Sequence, residues 1–190
     1  MTFNSDKYWE DRYKNGGNSG VASYGIYAEF KSDIINNTIK EYNIQNMCEL
    51  GCGEGEHLNN ITIDYTGYDV SKNVIDRNIK KYKGKNNLLF TNDLDSINSK
   101  KFELTLSMDV ILHLINDDVY YSYINNLFML SDKYVIIYEN DNDYSIGMAK
   151  HNKYRKFSND IPKNFKLINK INNPYKGKDT KADFYIFQKI

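Results

Sequence analysis

The 190 residues are 41% hydrophobic and 26% charged, enough for one domain with a real core, and no linker-like stretch divides them. Lys plus Arg and Asp plus Glu number 25 each, so the charge excludes a broad basic face and no nucleic-acid partner is expected. The opening "MTFNSDKYWEDRY" has no apolar signal-peptide core and the longest apolar runs span only a few residues, so neither a leader nor a membrane span is expected and the chain reads as cytoplasmic.

"SDKYWEDRYKN" opens with a capping Ser5 or Asp6 and spaces Tyr8, Trp9 and Tyr13 at helical intervals, which predicts a short amphipathic helix ending at Gly16 and Gly17. Its aromatic residues read as packing rather than as a base-stacking platform. The Gly- and Ser-rich "NGGNSGVASYG" follows. A longer helical pattern, "YAEFKSDIINNTIKEY", places Ile34, Ile35 and Ile39 on one side. Short apolar runs then alternate with helical patterns: "NMCEL", "YTGYDV", the helix "KNVIDRNIKKY", "NLLFT", "FELTLSM", the helix "DDVYYSYINNLFML" and "KYVIIYE". That alternation predicts an α/β fold with a mainly parallel sheet covered on both faces. The tail changes rhythm, since "NFKLINKI" and "ADFYIFQKI" flank the turn-rich "NNPYKGKDT" and predict a C-terminal hairpin. One domain is expected over 1–190, with helices and the Gly-rich segment in 1–45 and the sheet core in 46–190.

"MCELGCGEGEHL" sets Gly51, Gly53 and Gly55 at alternate positions after the first strand. In an open parallel sheet ligands lie beyond the carboxyl ends of the strands, and glycine there permits positive φ and close approach to the main chain. A dinucleotide fingerprint would space the glycines G-x-G-x-x-G, with pyrophosphate on a helix N-terminus. Here the spacing is G-x-G-x-G, and Glu49 stands just before it. A carboxylate there repels pyrophosphate and attracts an amine or sulfonium, which disfavours an oxidoreductase.

"ELGCGEG" resembles the first motif of class I S-adenosylmethionine-dependent methyltransferases. The later motifs fall in order: "YTGYDVS", "LLFTNDL" and "FELTLSMDVILHL". The resemblance covers residues 45–140 and implies a Rossmann-like, doubly wound, seven-stranded sheet whose last two strands are the antiparallel hairpin. It implies S-adenosylmethionine as cofactor, held by Glu49, Gly51, Cys52, Gly53 and Gly55 on the first loop. Asp69 and Val70 would serve the ribose, Asp93 and Leu94 the adenine, and Ser107 and Met108 the methionine end. "YWEDRYKNGGNSG", "SMDVILHLIND" and "RKFSNDI" are similar to small bacterial stand-alone members, often associated with surface-glycan and other small-molecule pathways. The expected reaction is methyl transfer to O or N of a small polar metabolite, such as a sugar or glycan precursor. RNA or protein as acceptor, or a non-catalytic cofactor-binding regulator, are the alternatives. No Asn/Asp-Pro-Pro-Tyr/Phe stands at the fourth motif, as it does in adenine-directed nucleic-acid enzymes.

Several residues carry two readings. Glu49 binds the cofactor amine or is a solvated strand-end charge, and Asp69 holds ribose, caps the next helix, or does both. His113 is a general base or a packed histidine amid Val110, Ile111, Leu112 and Leu114. Asp109 is expected to contact substrate or cofactor. The metal-holding E-x-x-E-H of some relatives has no counterpart here, because Leu112 precedes His113 and one carboxylate is missing, so no metal is expected. The Gly-rich segment is a lid, with Tyr24 or Ser19 reaching inward, or a plain connection. In residues 138–160, His151, Arg155 and Lys156 hold an anionic substrate group or form a solvated cluster. Cys48 and Cys52 read as a buried thiol and a loop thiol, with a redox pair as the alternative.

Overall fold

The local chemistry of each segment sets the element boundaries. The computed structural model describes residues 3–144, 149 and 151–190; residues 145–148 and 150, within the 138–160 segment noted above, lie outside it. Helix α1 runs Ser5–Lys14 and is capped by Asn4, whose side chain accepts from the Lys7 N–H, not by Ser5 or Asp6. Ser5 instead donates its hydroxyl to the His113 carbonyl at 2.6 Å. A 3-10 turn at Val21–Ser23 leads into α2 (Ile26–Glu41), whose buried stripe is Ala28, Lys31, Ser32, Ile35 and Thr38. A lysine in that stripe departs from the apolar pattern, and its reason lies in the cleft described below.

Helix α3 (Lys72–Lys81) starts at Ser71, which accepts from Val74 N–H; Asp69 is therefore not its cap. Helices α4 (Asp95–Asn98) and α5 (Asp117–Met129) follow, the latter capped by Asn116. The strands are β1 Asn46–Leu50, β2 Asp64–Tyr68, β3 Leu88–Thr91, β4 Phe102–Met108, β5 Ser131–Glu139, β6 Phe165–Ile171 and β7 Asp183–Lys189. They form one sheet in the order β3-β2-β1-β4-β5-β7-β6. The first five pair in parallel, and β7 runs antiparallel to both β5 and β6. The seven-stranded, mainly parallel sheet with its terminal hairpin is the architecture expected from the sequence.

Period-two alternation sends neighbouring residues to opposite faces. Met47, Leu104, Leu106 and Ile136 join α1, α2 and α3 residues such as Tyr13, Ile35 and Val74 in one core. Cys48, Leu50, Val135 and Ile137 join α4 and α5 residues such as Ile97, Ile124 and Leu127 in the other. Each fully buried Leu, Ile or Val contributes about 1.5–3 kcal/mol of transfer free energy as an upper estimate.

Strand β1 lies between β2 and β4, so the strand order reverses there and a crevice opens beyond the carboxyl ends. The crossover from β1 to β2, residues 51–63, is made of turns without a helix. No helix dipole points at that crevice from the first loop. Among the described residues no helix is long and apolar enough to cross a membrane.

Candidate active site

The loop after β1 is held in its shape by its own amides. Gly51 and Cys52 N–H both donate to the Tyr68 carbonyl, at 2.8 and 2.9 Å, and Gly55 N–H donates to Cys52 O at 3.1 Å. Gly53 N–H donates to Asp69 Oδ2 at 3.0 Å, and Glu54 N–H to Ser19 Oγ at 3.3 Å. Every N–H from 51 to 55 therefore has a partner within the protein. Such a loop has no nest of free donors for a pyrophosphate.

Gly51, Gly53 and Gly55 have φ of +80°, +50° and +64°. A Cβ on Gly51 would lie 2.5 Å from Val110 Cγ2, and one on Gly53 would lie 2.8 Å from Ser19 Oγ. The reason expected for these glycines, room for a ligand, is joined by a second. What fills the space first is the protein itself, packed against a left-handed backbone.

Next to this loop lies a cleft with about 850 Å³ of atom-free space, its open mouth included. Of the residues named from sequence, Glu49, Gly51, Cys52, Gly53, Gly55, Asp69, Val70, Met108, Asp109 and His113 line it. Asp69 is buried; Oδ2 takes the Gly53 amide and Oδ1 the Ser71 amide at 2.9 Å. Burial pushes its carboxyl up to about 6, against the pull of those two amides. A carboxylate offers about four acceptor sites, so two remain after the amides. Glu49 is buried as well, its Oε2 accepting from Tyr65 Oη at 2.6 Å and His57 Nε2 at 2.9 Å. It is not a solvated strand-end charge.

At the end of β4, Asp109 takes a left-handed backbone with φ +55°. Its Oδ2 accepts from Lys31 Nζ at 2.5 Å, and the Lys31 side chain is almost fully buried. The same ammonium donates to Ala22 O at 3.1 Å and sits 4.8 Å from the Tyr138 ring centre. Glu139, at the end of β5, accepts from Leu112 and Asn140 amides; burial, reinforced by Asp109, pushes its carboxyl up to about 8.

His113 closes a 3-10 turn, Ile111–His113, and is half-buried against the edge of Trp9, 4.8 Å between ring centres. Its Nδ1 lies 3.3 Å from the His151 carbonyl, which can only accept, so Nδ1 carries the proton and Nε2 is the basic nitrogen. Burial lowers its pKa. Packing and basicity thus coexist at this residue.

The structure keeps other expected residues out of the cleft. Tyr24 donates its hydroxyl to Glu54, and Arg155 binds the Leu114 and Ile115 carbonyls and Asp117 over the Tyr120 ring. His151 stacks on Tyr8 at 5.0 Å between ring centres, and Lys156 precedes the 3-10 turn Phe157–Asp160. Asp93 is exposed and accepts from the Asp95 amide, Leu94 packs against the α4 and α5 core, and Ser107 is hydrogen-bonded by Tyr123. None of these seven lines the cleft. Cys48 and Cys52 are free, buried thiols, and burial pushes the Cys48 thiol up to about 12.

Residues not singled out by sequence do line it: Trp9, Lys31, Glu54 and Tyr123. Trp9 was visible as an aromatic of an amphipathic helix, but one that packs looks the same in sequence as one that walls a cleft. Lys31 carried a signal, a cation inside the apolar stripe of α2. Ser19 reaches the cleft as expected, and Glu54 binds its amide and hydroxyl at 2.9 and 3.2 Å, fastening the Gly-rich segment over the first loop. Among the described residues no three His, Cys, Asp or Glu side chains are grouped to hold a metal.

No family model matches the sequence, and no curated protein matches it either. Solved structures do resemble it. The N-methyltransferase NodS from Bradyrhizobium japonicum WM9, in complex with S-adenosyl-L-homocysteine, is 14% identical with a TM-score of 0.78, over 98% of this chain and 99% of that one. The magnesium protoporphyrin IX methyltransferase from Synechocystis PCC 6803 with S-adenosylmethionine bound is 13% identical with a TM-score of 0.72, over 100% and 99%. A S-adenosylmethionine-dependent methyltransferase from Clostridium acetobutylicum ATCC 824 is 14% identical with a TM-score of 0.65, over 97% and 99%. Resembling such enzymes over nearly its whole length, the chain has the fold of the class I S-adenosylmethionine-dependent methyltransferases.

Proposed function

We propose that this protein transfers the methyl group of S-adenosylmethionine to an oxygen or nitrogen of a small polar acceptor, of which a sugar or glycan precursor is one candidate. The observation that carries this reading is the first loop, whose amides from 51 to 55 are all used internally beside the buried carboxylates Glu49 and Asp69. Such a site suits a cofactor with a cationic centre and hydroxyls and no phosphate. The residues present therefore fit S-adenosylmethionine. Asp69 would accept from its ribose hydroxyls with the two sites left after the amides. Glu49 Oε1, which has no hydrogen bond among the described residues, would accept from its amine.

When bound, the cofactor supplies an electrophilic methyl group. The chain's own work is to place the acceptor and receive its proton. Asp109 Oδ1, uncommitted among the described residues, and His113 Nε2 are both hydrogen-bond acceptors. They suit an acceptor that brings hydroxyl or amine hydrogens, and His113 is the group to take the proton that transfer releases. Trp9 and Val110 give the cleft apolar walls beside them. An anionic acceptor has less support, because Arg155 is committed elsewhere and Lys31 is paired.

Incubation with tritiated S-adenosylmethionine and a small-molecule extract tests this reading. Label should enter a metabolite, and His113→Ala should slow transfer about a hundredfold while leaving S-adenosylhomocysteine affinity nearly unchanged. Label entering only RNA or protein would favour the macromolecular reading. Cofactor binding with no transfer would favour the regulator.

A further inference from the structure

The lysine in the buried stripe of α2 is unexplained by packing. Lys31 is 3% exposed, and removing an ammonium from water is costly unless it is paired and hydrogen-bonded. Among the described residues its ammonium has two hydrogen-bond partners, on different segments of the chain. One is Asp109 Oδ2 at 2.5 Å, at the end of β4; the other is the carbonyl of Ala22 at 3.1 Å, within the 3-10 turn of the Gly-rich segment. Glu139 makes no ion pair with Lys31 among the described residues, and both its oxygens take backbone amides. Among the described residues Asp109 is thus the ion-pair partner of Lys31, with the Glu139 charge felt at longer range and the Tyr138 ring beside the ammonium, and Asp109 sits in a left-handed backbone conformation.

We propose that Lys31 is a positioning residue that couples closure of the Gly-rich segment to the placement of Asp109, so that one buried ammonium assembles the cover and the acceptor side of the site together. The inference rests on the methyltransferase reading for its purpose, since it is Asp109 that faces the acceptor. The coupling itself is a property of the free protein. When the segment lifts, Lys31 loses the Ala22 carbonyl and water reaches the ammonium, which weakens its hold on Asp109. When Asp109 loses its charge, the ammonium loses its ion-pair partner and is drawn toward solvent, releasing Ala22. A lysine that only filled space would show neither dependence.

Amide hydrogen exchange read by NMR tests this. The reporters are the Ser23 and Tyr24 amides, which close the turn onto Gly20 and Val21, and the Asp109 amide, which donates to Tyr138 O at 3.0 Å. In Lys31→Met, all three should exchange about tenfold faster or more, the size expected for losing a charge-assisted hydrogen bond. In Asp109→Asn, chosen because asparagine tolerates positive φ, the Ser23 and Tyr24 amides should speed up although the substitution is remote in sequence. Added S-adenosylhomocysteine should protect Ser23 and Tyr24 in the wild type and fail to do so in Lys31→Met. Wild-type exchange at Ser23 and Tyr24 in Asp109→Asn would overturn the coupling. Should Lys31→Met not fold, that second variant decides alone. If S-adenosylhomocysteine fails to bind the wild type by calorimetry, the methyltransferase reading falls, and the exchange rates of the free variants still decide the coupling.

Discussion

Gly51 shows how a motif residue can be required for a reason other than the one its motif suggests. Its φ of +80° and the 2.5 Å approach of Val110 Cγ2 to an added Cβ mean that Gly51→Val damages the fold first. The expected cost is about 2–5 kcal/mol, summing left-handed strain and overpacking; a thermal melt like that of the wild type would contradict it. Asp69 yields a pH dependence. Its folded pKa of about 6 lies above the ordinary 3.8, so the folded state takes up the proton more readily, and Asp69 lowers stability as pH rises from about 4 to about 6. Ribose hydroxyls need the ionised form, so S-adenosylmethionine affinity should fall below about pH 6, by up to about tenfold per pH unit. Asp69→Asn should bind more weakly and lose that dependence; calorimetry between pH 5 and 8 checks both. Glu49, Asp69 and the glycines were legible because strand-end position and local spacing define them. Lys31 showed only as a cation in an apolar stripe, its role hidden because its partner lies 78 positions away in the chain. Tyr24 and Arg155 tie loops together here, and a phenol or guanidinium that does so reads, in sequence, like one that meets a substrate.

Strands and long helices were the most legible elements, since apolar runs and helical spacing mark them. β1 and β4 fall on the quoted runs, and the other boundaries move by only one or two residues. The Gly-rich segment was the least legible, because its order comes from other parts of the chain. Ser19 and Tyr24 reach Glu54, Arg77 donates to Gly17 O at 3.0 Å, and Lys31 holds Ala22. Glu54 thus collects three donors, with Arg77 at 3.6 Å. Glu54→Gln replaces charged hydrogen bonds by neutral ones and should weaken the attachment by about 1–2 kcal/mol. Chymotrypsin should then cut after Tyr24 roughly 5–30 times faster, since cleavage follows the population of the open segment. An unchanged rate would mean that the segment keeps its place without Glu54.

At the scale of the molecule, the sheet reverses its strand order at β1 and β4, and that reversal opens the cleft between the first loop, Asp69, and the Asp109 and His113 side. The fold was legible because alternating strand and helix patterns admit few topologies. The acceptor was not, because the residues proposed to face it are scattered along the chain, from Trp9 of α1 to Asp109 and His113 beyond β4. On the proposed reading this cleft is built for a cationic cofactor without phosphate. Calorimetric titration of the wild type at pH 7.5, a condition of about neutral pH chosen well above the Asp69 transition, with S-adenosylmethionine and in parallel with NAD measures this directly. One S-adenosylmethionine should bind per chain and NAD should not bind. Binding of NAD, or none of S-adenosylmethionine to the folded protein, would contradict it.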